Sequence, residues 1–348
     1  MEASLDAKSI LHRQYNRRLM VFWCLGFLTL LLIVLNLVIG SVSYPPVQVL
    51  KALRSPFGQG DLAFTVWSLR LPRTLATIMG GAFLAASGLL LQVYFRNPIV
   101  GPFILGISSG ATLTVSLVML TGIGFYYATL SPYLITMAGC IGAYATVILV
   151  LAIATKVRGR ATLLVVGLMM GYVCSAITSI LTALAETERI KGFVLWGMGS
   201  FSRFSWLQLG IMFFVGGSLT VLVFILAKPL NAFLLGEDYA ASVGVDIRRF
   251  RLFILLASSS LAGLVTSMAG PVAFIGLAVP HMARLSLGTS DNRVLIPGAC
   301  LLGASVTSLC DLIARMWLSP VELPISAITA IFGAPIVIGL LLKRGFKS

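Results

Sequence analysis

From Asn97 to Thr155 the chain runs 59 residues without one Asp, Glu, Lys or Arg. Every polar backbone group in such a stretch must be satisfied within the chain, and lipid is the solvent that suits its side chains. One helical crossing of hydrocarbon takes about 20 apolar residues, so the stretch holds more than one crossing. Gly-, Pro- and Ser-rich clusters at 97–110 and around Ser131-Pro132 divide it into a short helix and a longer one. Leu252–Ala283 repeats the pattern over 32 residues free of Asp, Glu, Lys and Arg. As one helix it would be about 48 Å long, and Ala269-Gly270-Pro271 breaks it into two instead.

The whole composition agrees with lipid. The chain is 58% hydrophobic and 10% charged, with a mean hydropathy of +1.01, which describes an all-α polytopic membrane protein. A net charge of +14 in a soluble protein would suggest nucleic acid. Here the cations fall in loops between apolar runs, so no nucleic-acid partner is expected and the partner is the bilayer itself. Cys24, Cys140, Cys174, Cys300 and Cys310 are odd in number and include no C-x-x-C, so neither a disulfide framework nor a zinc site is expected. Gly106-x-x-x-Gly110 and Gly167-x-x-x-Gly171 have the spacing that lets membrane helices approach closely.

The apolar runs predict about ten spans. Residues 1–18 form a basic N-terminus, 19–342 a single transmembrane domain and 343–348 a basic C-terminus. The run from Leu19 to Gly40 is too long for a cleaved signal and is read as the first helix. The second span follows Arg73 and ends at Arg96. With ten spans, both termini lie on one face. That face collects seventeen of the 25 Lys and Arg, which makes it the cytoplasmic side of a bacterial inner membrane. Gly- and Ser-rich helix pairs in the two halves hint at an inverted repeat.

Residues 230–251 stand apart. They carry Glu237, Asp238, Asp246, Arg248, Arg249 and Arg251, too many charges to span lipid. Leu234, Leu235, Ala240 and Val243 are too apolar for a solvated loop. Gly236 and Gly244 cut the segment into short amphipathic pieces at the cytoplasmic face. We expect a soluble partner to dock there, with Leu234, Leu235 and Ala240 as apolar contacts and Glu237 as a polar anchor. A helix resting in lipid headgroups is the plainer alternative.

Chemistry of the chain's own is sparse. It contains no G-x-x-x-x-G-K-[ST], so it binds no ATP through a P-loop, and no enzymatic activity is expected. Its two histidines, His12 and His281, have no metal spacing. Of eleven acids, Asp311 alone falls inside a predicted span, one helical turn before Arg315. A stand-alone secondary transporter would need a carboxylate relay that the spans do not show.

Three motif groups occur in order. The first is Arg70-Leu-Pro-Arg73, Gly80-Gly-Ala, Ser87-Gly88, Gln92, Arg96-Asn97-Pro98 and Leu105-Gly-Ile-Ser-Ser-Gly-Ala111. The second is Leu235-Gly-Glu-Asp-Tyr-Ala240-Ala-Ser-Val-Gly-Val245. The third is Gly270-Pro271, Val279-Pro-His-Met-Ala-Arg284, Glu322-Leu-Pro324 and Thr329-Ala-Ile-Phe-Gly-Ala-Pro335. Together they resemble the FecCD/BtuC-type permeases of ABC importers for iron chelates, haem and cobalamin, over nearly the whole chain from about residue 20.

The resemblance implies a type II importer permease fold with ten helices per subunit. It also implies a second permease subunit (a homodimer, with a heterodimer as the alternative) and two cytoplasmic ABC ATPase subunits that carry ATP and Mg. An extracytoplasmic substrate-binding protein completes the set, and this chain itself holds no cofactor. An iron-siderophore or haem chelate is the expected cargo, with cobalamin as the alternative. The coupling role falls on Leu234, Leu235, Gly236, Glu237, Ala240 and Gly244. The cytoplasmic gate falls on Asn97, Pro98 and Ile99, which would serve equally well as a helix cap and turn. The pathway is expected along Gly171, Ser175 and Thr178 of the fifth span and Ser326 and Thr329 of the tenth, unless these small residues only pack helices. Arg70, Arg73 and Arg315 are expected on the outer rim to receive carboxylates of the binding protein. Snorkelling to headgroups, or an Arg315–Asp311 pair, is the alternative.

Overall fold

The computed structural model describes residues 2–40, 42, 44–54, 60–122, 131–154, 160–319 and 321–345. The predicted basic-turn residues Lys156, Arg158 and Lys347, and the turn residues Pro56, Gly58 and Pro320, lie outside them. The described residues form helices α1 (Glu2–Val38), α2 (Pro46–Leu53), α3 (Asp61–Phe95), α4 (Ile107–Leu120), α5 (Ser131–Ala154), α6 (Arg160–Leu184) and α7 (Thr187–Gly197). They continue with α8 (Trp206–Ile225), α9 (Ala227–Leu235), α10 (Glu237–Ser242), α11 (Ile247–Ala269), α12 (Ile275–Leu287), α13 (Asn292–Met316) and α14 (Ile325–Gly345).

Seven of these, α1, α3, α5, α6, α8, α11 and α13, are long and apolar enough to cross a membrane. The predicted third and eighth spans appear as the shorter α4 and α12, of 14 and 13 residues, and the tenth as α14, whose apolar part is Ile325–Gly339. α11 ends at Ala269, where Gly270 takes φ 74°, a left-handed backbone that glycine adopts without strain. Α helix cannot continue through that residue and Pro271, so the break falls where the sequence placed it.

α3 is the central helix. Of its span 78% is buried, against 17% for α6, so α3 is packed on by the rest of the chain while α6 lies at the periphery. Small residues set this packing. A Cβ on Gly81 would fall 2.2 Å from the Gly303 carbonyl oxygen of α13. One on Gly110 would fall 2.6 Å from Gly142 of α5, and one on Gly106 would fall 2.9 Å from Gly167 of α6. Backbones that close gain dispersion contacts, which drive association where lipid supplies no hydrophobic force. Short polar pairs cross the same contacts. The Ser87 hydroxyl donates to the Ser258 carbonyl at 2.8 Å, and Thr29 and Ser305 share a hydrogen bond of 2.8 Å.

The second span differs from its predicted bounds. α3 begins at Asp61, well before Arg73, with a π-helical stretch at Thr65–Arg70. Arg70 and Arg73 therefore sit inside the helix rather than ahead of it. Around this end α1, α2 and α3 form a small separate core of Leu37, Val49, Ala52 and Val66.

Candidate functional site

Two ends of the bundle carry the polar structure. One holds the segment α9–α10, the end of α3 and the turn between α12 and α13. The segment breaks where glycines were expected to break it: Gly236 has φ 153° and Gly244 φ 87°. The Asp246 carboxylate caps α11 by accepting from the Arg249 N–H at 3.1 Å. Leu235, Tyr239 and Val243 are exposed at 72%, 49% and 56%, an apolar surface large for residues at an aqueous face. Glu237 is pinned to Arg251, whose Nε donates at 3.2 Å. Ala240 is fully buried and packs inward, so it is no contact residue, because the Gly236 break sets the register of the six-residue α10. Tyr239 and Val243 take its place on the outer face. Leu234 is half-buried against the core.

This segment is fastened to the bundle. The Asn231 amide donates to Asp291 at 2.6 Å, and the Asn292 N–H donates to the Asn231 side-chain oxygen at 2.8 Å. Partial burial alone would raise the Asp291 pKa. Hydrogen bonds from the Arg293 N–H and Asn231, with the charges of Arg293 and Arg18, instead hold that carboxyl below its usual range. Nearby, Arg284 donates to Gln92 at 2.5 Å, and Gln92 donates to the Leu277 carbonyl at 3.0 Å. Arg17 of α1 caps the end of α12 by donating to the Leu285 and Ser286 carbonyls, each at 3.0 Å. Asn97, Pro98 and Ile99 form a tight turn beside this segment, with the Ile99 N–H donating to the Asn97 side-chain oxygen at 3.0 Å.

The opposite end holds the three predicted docking arginines, and there the structure departs from expectation. All three are buried, at 5%, 8% and 8% exposure for Arg70, Arg73 and Arg315. Arg70 donates to the last carbonyls of α1, Leu37 and Val38, each at 2.8 Å, and also bonds Val42. Arg73 grips Asp311 with two nitrogens, at 2.9 and 3.0 Å, and reaches Glu322 at 2.7 Å. Asp311 thus pairs with Arg73 and not with Arg315, which donates to Asn36 at 2.9 and 2.5 Å. These guanidinium groups are turned inward because buried charge in a membrane protein requires partners, and the acids and carbonyls lie inside. Arg203, by contrast, is exposed at this end. A cavity of about 440 Å³ adjoins it, bordered by Trp196, Ser200, Gln208, Ser267 and Glu322. In the sequence Arg203 is a lone cation among Phe201, Phe204 and Trp206, a pattern that suits an interface between membrane and water.

The predicted pathway residues divide. On α6, Ser175 is exposed, Gly171 half-buried and Thr178 half-buried with its hydroxyl on the Cys174 carbonyl at 2.9 Å. On α14, Thr329 is buried and bonds Ile325 at 3.0 Å, while Ser326 bonds the Pro271 carbonyl. The Ser326 hydroxyl thus secures α14 to the α11–α12 break, while the Thr329 hydroxyl bonds within its own helix.

The comparisons with known proteins agree with this architecture. Residues 28–343 match the FecCD transport family. The chain is 34% identical over 339 residues to the vitamin B12 import system permease protein BtuC of Escherichia coli O127:H6, covering 97% of this chain and 99% of that protein. It is 35% identical over 347 residues to the protein of the same name in Klebsiella pneumoniae, covering 99% and 98%. A transporter classed as metal-chelate-type ABC, solved in an inward-facing conformation, superposes with a TM-score of 0.81 at 30% identity, covering 93% of this chain and 99% of that one. PsaBC from Streptococcus pneumoniae in complex with Fab, at 15% identity and a TM-score of 0.55, shares the fold alone. The fold is that of an ABC importer permease, a transport subunit built of multiple membrane helices. The chain belongs to the FecCD transport family.

Proposed function

We propose that this chain is the membrane permease of an ATP-driven importer. It would pair with a second permease subunit, take its energy from two cytoplasmic ATPase subunits and receive its cargo from an extracytoplasmic binding protein. The α9–α10 end would face the cytoplasm of a bacterial cell with both termini, in keeping with the positive-inside bias. The observation that carries this reading is the α9–α10 segment: an exposed apolar face on a rigidly fastened base, as a docking surface requires. The Arg73–Asp311 pair adds to it, since it occupies the acid that a stand-alone proton- or ion-coupled transporter would have used. ATP and Mg would reside on the partner ATPases. Peripheral α6, with Ser175, is the side we assign to the second subunit and the pathway. Docking of the binding protein falls to exposed cations such as Arg203 rather than to the buried arginines.

For cargo we favour a metal chelate. The expectation from sequence puts an iron-siderophore or haem chelate first and cobalamin second; relatives named for vitamin B12 import support cobalamin ahead of those two.

Leu235 provides the test. Its side chain is mostly exposed, so Leu235→Asp removes little internal packing and should shift stability by less than about 0.5 kcal/mol. Association with the ATPase should fall at least about tenfold, as for loss of an apolar anchor worth over 1 kcal/mol. Unchanged co-purification of the ATPase with the variant would leave the segment as a headgroup-resting helix.

A further inference from the structure

Arg96 occupies a position that a glycine would fill more easily. It follows α3 with φ 49° and ψ 36°, the left-handed cap. The Asn97 N–H donates to the Gln92 carbonyl and the Arg96 N–H to the Val93 carbonyl, each at 3.2 Å, which completes a Schellman-type ending where glycine is usual. Among the described residues Phe274 is the one other non-glycine with positive φ. Strain kept at such a site calls for a reason in the side chain.

The side chain supplies one. Arg96 Nη2 donates to the Phe233 carbonyl at 3.0 Å. That carbonyl lies in the last turn of α9, where helix carbonyls lack partners within the helix and favour a cation. The same nitrogen lies 3.9 Å from where a Cβ on Gly236 would stand, beside the break between α9 and α10. The Phe233 ring is fully buried and stacks on Tyr94 at 6.2 Å and 14°. The end of α3 therefore holds α9 through Tyr94 on the ring and Arg96 on the carbonyl. The residues immediately after Arg96 are Asn97, Pro98 and Ile99.

We infer that Arg96 is the positioning residue that transmits displacement of the α9–α10 segment to the Asn97–Ile99 turn. This rests on the reading of that segment as the ATPase docking surface. A push on α10 reaches Phe233, passes through the Arg96 hydrogen bond and turns the chain at Asn97–Ile99. Without the guanidinium, α9 moves while the turn stays.

Arg96→Gly tests this, because glycine keeps or relaxes the left-handed cap while deleting the hydrogen bond. The reporter is Ile99→Cys, at an exposed site, in a chain whose five native cysteines are replaced. The permease is assembled with its ATPase in nanodiscs, and the rate of modification by a membrane-impermeant maleimide is measured without nucleotide and with Mg-ATP plus vanadate. With Arg96 present, nucleotide should change the rate by about tenfold, within the usual range of coupling between sites. In Arg96→Gly the change should shrink to less than about twofold, while ATPase association and the thermal midpoint stay at the parent values. Arg96→Lys, which retains a single flexible donor, should restore part of the change. A full nucleotide response in Arg96→Gly overturns the proposal, as does loss of ATPase association in that variant. No nucleotide response at Ile99→Cys in the parent overturns the link to the Asn97–Ile99 turn. Failure of the parent to bind the ATPase at all is a separate result, and it removes the docking reading beneath.

Discussion

Gly88→Ala should cost about 3 kcal/mol or more and lower the yield of folded protein, the upper end of what overpacking does. The added Cβ would stand 1.6 Å from the Gly276 carbonyl oxygen, 2.4 Å from its carbon and 2.7 Å from its Cα. No side chain can move aside, since all three atoms are backbone. α3 and α12 must separate, and with them the Gln92–Leu277 and Gln92–Arg284 hydrogen bonds that tie the two helices at the α9–α10 end. Gly276 has little room to retreat, because it is also packed on Pro102, whose ring a Cβ there would meet at 2.8 Å. Gly26→Ala serves as the control, as nothing lies within 4 Å of its added Cβ. Thermal unfolding of the two purified variants in detergent checks the prediction. Equal midpoints would mean that the close approach of α3 and α12 does not hold the fold.

Asp311→Ala should be comparably damaging, at about 3–5 kcal/mol, because it strands a buried guanidinium. Asp311 is 1% exposed and takes two hydrogen bonds from Arg73. Its removal leaves Arg73 with Glu322 alone, whose side chain is 46% exposed, while Arg315 stays buried close by. Replacing both partners by apolar residues, Arg73→Leu with Asp311→Leu, should recover most of the loss, since paired removal of a buried ion pair is often neutral. The double-mutant cycle read by thermal midpoint should therefore show strong coupling between the two sites. Additive losses would mean that the pair contributes nothing as a pair.

The membrane spans were legible in the sequence because each depends on local facts: a charge-free length, a glycine or a proline. The break at Gly270 and the glycines flanking Glu237 were readable for the same reason. The arginines were not. Arg73 looks like a rim cation until Asp311, 238 residues away, is known to face it, and the partner of Arg315 is 279 residues distant. The side of α10 that faces outward was hidden too. A six-residue helix holds fewer than two turns, too few for periodicity to mark a buried face. Ala240 was therefore assigned outward when it packs inward, and Tyr239 and Val243 were passed over.

If the proposed function holds, transport through this chain is driven by ATP hydrolysed on a partner. The most direct test is uptake of radiolabelled cyanocobalamin and of ferric siderophores into proteoliposomes holding the permease and its ATPase, with the binding protein outside. Accumulation of one of these chelates should occur only with Mg-ATP inside and the binding protein present, and it should vanish with Leu235→Asp. Accumulation by the permease alone, driven by an ion gradient and indifferent to ATP, would contradict the account.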